Sequence, residues 1–172
     1  MSVPSVPNYA TEIYDRGVDG ELPAFPTDLT ELEAAAREQL AEIPFDYVAG
    51  SAGSGATGAA NRAAFDRWRI VPRMLTGATD RTLRTTVLGS EVAAPIGTAP
   101  VAAQGIVHPD GELAVARAAG ELGLPMIVST LSSRTMEEVA AANGDGVRWF
   151  QLYRPNDPDV CASLLARAAA AG

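Results

Sequence analysis

Apolar and polar positions follow two different periodicities along the second half of the chain, from residue 93 to residue 172. Short apolar runs rich in β-branched and aromatic residues predict strands, namely "PIGTAP", "LPMIVST" and "VRWFQLY". Stretches with apolar residues three or four positions apart predict helices, namely "PDGELAVARAAGELG", "TMEEVAAAN" and "DPDVCASLLARAAAAG". A strand is therefore followed by a helix three times in succession.

Residues at the ends of these helices support the assignment. Pro109 lies near the predicted first turn of the first helix, and Gly123 follows its end. Thr135 precedes an acidic first turn in the second helix. Asp157 is the expected N-cap of the third helix, with Pro158 at its first position. Acidic residues at the helix starts are interpreted as structural charges: Glu112, Glu137, Glu138 and Asp157.

Close alternation of strands and helices predicts an α/β fold with parallel strands and crossover helices. Two architectures fit three such units, a doubly wound sheet and a β/α barrel. The loop after the first strand contains no G-x-G-x-x-G, and the chain has no lysine for a Walker motif. Both observations argue against a nucleotide-binding unit of the Rossmann or P-loop type.

The first 92 residues have a different pattern and form a separate predicted segment. Residues 1–26 are rich in proline and glycine and are expected to form an irregular arm. The stretch "LTELEAAAREQLAEIP" predicts a helix that begins with a capping box of Thr30 and Glu33 and ends at Pro44. "FDYVAG" predicts one further helical turn, and "AANRAAFDRWRI" another short helix. "TLRTTVLGSEVAAP" predicts a small hairpin with "GS" at its turn.

Composition narrows the function classes. The chain has 172 residues, of which 47% are hydrophobic and 20% charged, as expected for a globular domain. The net charge of -8 argues against a nucleic-acid or anionic-membrane partner. Cys161 and His108 are each the sole residue of their type, which argues against a disulfide framework and a multi-histidine metal centre. No signal-peptide core or membrane-spanning run is evident, so a cytoplasmic protein is expected.

Backbone or small polar groups lie at the ends of the three predicted strands and are expected to face one rim, with residues 100–102 at the end of the first strand. Ser129 and Thr130 follow the second strand, and Gln151 and Tyr153 close the third. Chemistry in parallel α/β folds is located at the carboxyl ends of the strands. A buried amide or phenol needs a hydrogen-bond partner. Gln151 and Tyr153 are therefore predicted to face a ligand, although Tyr153 could equally be a strand-end tyrosine with a hydrated hydroxyl, and Ser129 and Thr130 could be helix caps.

Five segments together resemble one known family. They are "FDYVAG", "NRAAFDRWRIVPRML", "APIGTAPVAAQGIVHPDGELAVARAAGELG", "VSTLSS" with "MEEVA", and "WFQLYRPND". In order and spacing they are similar to the N-terminal part of FMN-dependent 2-hydroxy-acid oxidases and dehydrogenases, such as glycolate oxidase, lactate oxidase and flavocytochrome b2. The leader "YATEIYDRG" and "VSTLSS" resemble most the lactate 2-monooxygenase branch. The resemblance implies the first three βα units of an incomplete TIM barrel, residues 93–172, preceded by residues 1–92.

The resemblance also implies roles for matching positions. Tyr47 and Tyr153 would bind the substrate carboxylate through their hydroxyls. Contacts to the FMN cofactor would come from five positions: Pro100, Val101, Ala102, Ser129 and Gln151. The implied reaction is oxidation of an L-2-hydroxy acid, a lactate-like small molecule, to a 2-oxo acid. Complete family members are commonly homo-oligomers, so a homo-oligomer is possible.

No catalytic residue of that family falls within this chain. The catalytic histidine, the carboxylate-binding arginines, the flavin-polarising lysine and the phosphate loop are all expected beyond Gly172. His108 is expected to be structural, and the chain alone is expected to be inactive. Two alternatives stay open: a non-catalytic truncated remnant of the family, and another FMN barrel such as a type 2 isopentenyl-diphosphate isomerase.

Overall fold

The computed structural model describes residues 9–77, 79 and 81–172, without the side chain of Tyr9. It divides into two compact units. The smaller is Glu21–Thr82, and the larger joins the N-terminal helix to Leu83–Gly172. The predicted boundary between an N-terminal segment, residues 1–92, and the barrel units, residues 93–172, stays a prediction.

The N-terminal segment is not the irregular arm that its prolines suggested. Residues Tyr9–Val18 form helix α1. Within it Glu12 and Arg16 form an ion pair of 3.1 Å one turn apart, with the acidic partner nearer the N-terminus as the helix dipole favours. The prediction is therefore wrong for these residues, and the part of it that concerns residues 1–8 lies outside the described residues.

The helix predicted over residues 29–44 is broken into separate pieces. A 3₁₀ turn at Leu29–Glu31 leads into α2, Leu32–Gln39, and a second helix, α3, spans Glu42–Ala49. Pro44 cannot donate to the carbonyl of Leu40, and its ring would clash there, so the helix stops and restarts. The predicted end at Pro44 is wrong, because this proline lies in the first turn of α3.

The predicted capping box at Thr30 is also wrong. The cap is Asp28, whose Oδ1 accepts a hydrogen bond of 2.9 Å from the backbone N–H of Thr30. The following helix, α4, spans Ala56–Phe65 and ends earlier than the pattern predicted.

The hairpin is present, with its turn one residue earlier than expected. Strands β1, Thr85–Val87, and β2, Ser90–Val92, pair antiparallel. Leu88 and Gly89 form the turn with φ of 49° and 83°. Two consecutive residues with positive φ match the twist of a two-residue hairpin.

The rest of the larger unit alternates helices and strands as predicted. Its elements are α5 (Glu112–Leu122), β3 (Met126–Val128), α6 (Met136–Asn143), β4 (Arg148–Phe150) and α7 (Pro158–Ala171). Strands β3 and β4 are parallel, with Met126 opposite Arg148 and Val128 opposite Phe150. The predicted α/β class with parallel pairing is confirmed here.

The first predicted strand is reduced to a single parallel bridge between Thr98 and Met126. Thr98 N donates to Pro125 O at 3.0 Å, and Ile127 N donates to Thr98 O at 3.2 Å. Pro100 has no N–H for the next position of this ladder, and Pro125 has none for the preceding one, so the pairing cannot extend in either direction. Parallel pairing is as predicted, but a regular strand is not formed.

Helix caps in the larger unit largely follow the sequence. Thr135 and Glu138 form a reciprocal capping box on α6, and Asp157 caps α7. Gly123 ends α5 with φ of 65°. Pro109 does not lie in the first turn of α5, because that helix begins only after Gly111, at Glu112.

One face of β3 and β4 packs on the helices. The buried core there consists of Ala116, Ala119, Met126, Val128 and Val139. Because side chains alternate along a strand, Ile127 and Trp149 point to the opposite face, and Ser129 and Gln151 continue that second face beyond the strand ends. The polar pair is thus positioned away from the helix-packed core.

Arg148 fastens the other end of β4 to two helix C-termini. Its guanidinium donates to Ala171 O at 2.7 and 3.0 Å, to Gly144 O at 2.7 Å and to Gly146 O at 3.1 Å. It also donates to Asn143 Oδ1 at 3.1 Å. A cation at helix C-termini satisfies carbonyls that the helices leave open.

Candidate functional site

Ser129 and Gln151 meet where β3 and β4 end. Ser129 Oγ donates to Gln151 Oε1 at 3.3 Å and accepts from Leu131 N at 3.1 Å. Ser129 is only 5% exposed, and Gln151 is half-buried. The Gln151 backbone N–H extends the parallel ladder by donating to Val128 O at 2.9 Å. The structure therefore brings these two predicted residues together.

The carboxamide of Gln151 keeps a donor free. Its Oε1 is occupied by Ser129, but its Nε2 has no acceptor among the residues that the structure describes. Leaving a half-buried donor unpaired costs free energy unless a ligand or water accepts from it. The open amide is thus suited to a ligand carbonyl.

Thr130 connects the ends of the two strands. Its hydroxyl donates to the backbone carbonyl of Gln151 and accepts from Tyr153 N at 2.9 Å. Thr130 is therefore a bridge between loops and not a helix cap, since Thr135 caps the next helix. Sequence reasoning noted Thr130 at the strand end but missed this function, because its partners lie more than 20 residues away.

Tyr153 has a fixed backbone and a free side chain. Thr130 holds its N–H, while the side chain is 58% exposed. Its phenol has no partner within residues 9–77, 79 and 81–172. A hydroxyl in this state is available to an incoming anion, and it is equally the hydrated tyrosine of the alternative interpretation.

The segment Pro100–Ala102 follows the parallel bridge. Val101 O accepts from Gln104 Nε2 at 3.3 Å, and the next residue, Ala103, donates its N–H to Leu131 O at 3.0 Å. In the described part of the chain the N–H groups of Val101 and Ala102 find no acceptor. Two backbone donors therefore lie open beside the loop that carries Ser129.

A buried carboxylate lies beneath these two loops. Glu112 is 1% exposed and accepts from Gln104 N at 3.1 Å, Ser133 N at 2.9 Å and Ser133 Oγ at 2.7 Å. Burial acts to raise the pKa of this carboxyl, but the hydrogen bonds from Ser133 and Gln104 outweigh it and hold the pKa below its ordinary value. Glu112 is therefore ionised at neutral pH.

Tyr47 lies on α3 in the smaller unit and is 65% exposed. The other predicted site residues belong to the larger unit. The predicted convergence of Tyr47 with Tyr153 stays a prediction.

His108 and the acidic residues form no metal site in the described part of the chain, where no cluster of three potential ligands occurs. His108 Nδ1 accepts from Asp110 N at 3.1 Å in the turn before α5, in keeping with the structural role expected for it. The described helices include none with the length and apolar character needed to cross a bilayer.

Comparison with known proteins decides the family. The profile of the FMN-dependent dehydrogenase family matches residues 36–172. The chain belongs to this family. The predicted resemblance is thereby confirmed, and so is FMN as the cofactor of the family. The finer similarity to lactate 2-monooxygenase stays a prediction.

Over the aligned residues, relatives are more than 40% identical to this member of the FMN-dependent dehydrogenase family. An FMN-dependent alpha-hydroxy acid dehydrogenase of Penicillium citrinum is 43% identical over 162 residues, which cover 94% of this chain and 40% of that protein. A 4-hydroxymandelate oxidase of Amycolatopsis orientalis is 46% identical over 144 residues, covering 84% of this chain and 40% of that protein. The chain thus spans about two fifths of the length of these relatives.

A solved structure agrees with the sequence relationship. Mandelate oxidase, a TIM-barrel flavoenzyme, superimposes with a TM-score of 0.78 at 46% identity, covering 84% of this chain and 43% of that chain. The α/β chain therefore corresponds to part of a barrel.

The open hydrogen-bond donors at the carboxyl ends of the parallel segments, which form the rim of the candidate site, fit one edge of an FMN ring. That edge alternates carbonyl acceptors with an N–H donor, and a carboxamide together with backbone N–H groups can pair with it. The donors available are Gln151 Nε2 and the N–H groups of Val101 and Ala102. Two nearby arginines are already engaged, since Arg134 donates to Pro109 O at 2.6 Å and Arg167 pairs with Glu137 at 2.7 Å. The three open donors are neutral amide N–H groups, which suit the carbonyl acceptors of the FMN ring.

Proposed function

We propose that this chain is the N-terminal portion of an FMN-dependent enzyme that oxidises an L-2-hydroxy acid to a 2-oxo acid. The observation that carries the proposal is the Ser129–Gln151 pair, with an open amide donor at the ends of two parallel strands. Membership of the FMN-dependent dehydrogenase family supports it.

The residues of the larger unit would hold the flavin ring. Gln151 would pair with its polar edge, Ser129 would orient the Gln151 amide, and Pro100–Ala102 would lie against the ring with two backbone donors. FMN, when bound, supplies the electron acceptor for the oxidation, while the protein binds and orients. These roles need donors that have no acceptor within the chain, which is what Gln151, Val101 and Ala102 offer.

The two tyrosines would recognise the substrate. A phenol donates a hydrogen bond to an anionic carboxylate, and such charge-assisted bonds are stronger than neutral ones. Tyr153 would approach from the end of β4 and Tyr47 from α3. The preferred substrate in this proposal is lactate-like. An aryl acid is the second candidate, because the relative at 46% identity is named a 4-hydroxymandelate oxidase.

The barrel in this proposal begins with residues 95–100, followed by β3 and β4 as its second and third strands. The catalytic base, the carboxylate-binding arginines, the flavin-polarising lysine and the phosphate site would be contributed by residues outside positions 1–172. The chain has no lysine of its own. The complete enzyme would act on a small molecule in the cytoplasm and could form a homo-oligomer, whereas this chain alone would be inactive.

The test is a titration of the 172-residue chain with FMN, alone and mixed with the remaining C-terminal part of a family member. We expect weak or undetectable binding by the chain alone and a yellow complex with the supplied part. Flavin fluorescence quenching measures the affinity, and turnover of lactate and 4-hydroxymandelate ranks the substrates. Stoichiometric, tightly held FMN on the isolated chain would contradict the division of the site. A folded mixture that never binds FMN would favour a non-catalytic remnant.

A further inference from the structure

Glu112 belongs to neither of the loops that carry the candidate flavin contacts, yet it holds both. It opens α5, and its carboxylate accepts the N–H of Gln104 from the loop after the parallel bridge. The same carboxylate accepts both the N–H and the hydroxyl of Ser133 from the loop after β3. One buried anion thus joins two loops that are otherwise separated by a helix and a strand in sequence.

Ser133 extends this connection by one further step. Its Oγ accepts from Gly105 N at 2.8 Å while it donates to Glu112. A side chain at position 105 would meet this hydroxyl, because a Cβ built there lies 2.8 Å from Ser133 Oγ. The close approach of the two loops therefore depends on both the hydroxyl and the glycine.

We call the hydrogen bonds of Glu112 to Gln104 and Ser133 the tether. The backbone between the tether and the open N–H groups of Val101 and Ala102 is strained. Ala103 has φ of 51° and ψ of 38°, a left-handed conformation that non-glycine residues rarely adopt. Such a conformation persists only where the surroundings enforce it. Here Ala103 N donates to Leu131 O at 3.0 Å, and the following N–H, that of Gln104, is held by Glu112. The strain lies directly after Val101 and Ala102.

From these contacts we infer that Glu112, acting through Ser133, is a positioning residue for the flavin-facing donors of Val101 and Ala102. Without the tether the strained residue relaxes, and the two N–H groups lose their fixed direction. Glu112 does not touch the ligand in this role. The role rests on the proposed function, because positioning matters only if a ligand meets those donors.

The first test measures amide exchange in the 172-residue chain, with no flavin present. The reporter is Ala103 N–H, whose own acceptor, Leu131 O, is untouched by the substitutions. Its exchange rate is divided by that of Met126 N–H, which bonds to Val147 O in the sheet. We expect Ser133→Ala and Glu112→Gln each to raise this ratio by about tenfold, the size of effect that loss of a hydrogen bond to a charged group produces.

Ser132→Ala is the matched control. Among the described residues its hydroxyl has one partner, Arg134 N at 3.3 Å within the same loop, so the ratio should stay within about twofold. If Glu112→Gln does not fold, the test rests on Ser133→Ala alone. That variant should still fold, because the backbone N–H groups of residues 104 and 133 continue to donate to Glu112. If the ratio of the Ala103 to the Met126 exchange rate is unchanged, the proposed tether is wrong. This holds whether both rates rise together or neither rises.

The second test uses a chimaera in which residues 36–172 replace the matching part of a complete family member. Ser133→Ala should weaken FMN binding by about tenfold and shift the flavin absorbance spectrum, whereas Ser132→Ala should do neither. FMN bound equally by both variants would overturn the positioning role. A parent chimaera that folds by circular dichroism but binds no FMN would instead sink the proposed function.

Discussion

The two units of this chain treat their apolar residues very differently. In the larger unit, helices α5 and α6 bury a compact core against one face of β3 and β4. In the described part of the smaller unit, Phe45 is the one buried hydrophobic residue. Large apolar side chains there are exposed instead, among them Phe65, Trp68, Ile70, Val71, Met74 and Leu75. These six side chains therefore contribute no core to the smaller unit.

The difference shows where each unit obtains its stability. The larger unit buries a core and caps helices α6 and α7 with its own residues. In the smaller unit, Arg37 of α2 stacks on the ring of Phe45 in α3 at 4.2 Å. Most of the large apolar side chains of this unit remain exposed. We therefore expect substitutions at chemically identical residues to have different effects in the two units.

The largest contrast is expected between two methionines. Met126 is 2% exposed in the core, whereas Met74 is 81% exposed. Met126→Ala should lower the free energy of unfolding by about 2–5 kcal/mol, because it removes buried apolar atoms and leaves a cavity. Met74→Ala should change it by less than about 0.5 kcal/mol. Chemical denaturation of both variants measures the difference, and equal effects would erase the distinction between the units.

The second contrast asks whether both units contribute to one site. Tyr47→Phe and Tyr153→Phe, made in an active chimaera that carries all 172 residues of this chain, should each lower kcat/KM by about 10- to 100-fold, since a hydrogen bond to a charged group is lost. Folding should be little affected because the ring remains. Tyr14→Phe in α1 is the control and should change little. If both site variants stay within about twofold of the parent, the tyrosines are surface residues with hydrated hydroxyls.

A smaller contrast separates a formed capping box from a predicted one. Thr135→Ala removes the cap of α6 and should cost about 0.5–2 kcal/mol of unfolding free energy. Thr30→Ala should cost less, because Asp28 supplies the cap and Thr30 Oγ1 only donates to that carboxylate at 2.7 Å. Urea titrations of the two variants give the comparison. A larger loss at Thr30 would restore the capping box that the sequence predicted.

The smallest expected effect is a pH dependence of the ion pair between α6 and α7. Hydrogen bonding from Arg167 lowers the pKa of Glu137 from 4.5 to about 2. The folded-state pKa is depressed, so the stabilisation is present above pH 4.5 and is lost as the pH falls towards 2. The thermal midpoints of the parent and Glu137→Gln should therefore converge over that interval. A constant difference down to pH 2 would mean that the pair does not contribute, as for many exposed pairs.

Much of the larger unit could be predicted from local sequence signals. Caps at Thr135 and Asp157 and the end of α5 at Gly123 depend on residues a few positions apart, and these predictions are confirmed. The break after Leu40 was missed because strong helix formers on both sides outweighed Pro44 in the pattern. The first strand was overestimated, because Pro100 at its end and Pro125 directly before β3 lack the N–H groups that would extend the ladder.

The candidate site was predictable only in part. The meeting of Ser129 with Gln151 follows from placing two parallel strand ends side by side. The role of Glu112 was not visible, because its partner Ser133 lies 21 residues away and an acidic residue at a helix start is ordinarily a surface charge. Burial of that charge is a property of the fold and leaves no local sequence pattern.

Arg148 and Gln151 lie at opposite ends of β4, about 10 Å apart along an extended backbone. The guanidinium ties helix ends together at one end, and the open amide faces the rim at the other. Architecture and the proposed recognition are thus assigned to two residues only three positions apart, one in β4 and one directly after it. Residues near Gln151 can therefore mutate while the contacts of Arg148 keep the fold stable. Related proteins could diverge in specificity in this way without loss of the fold.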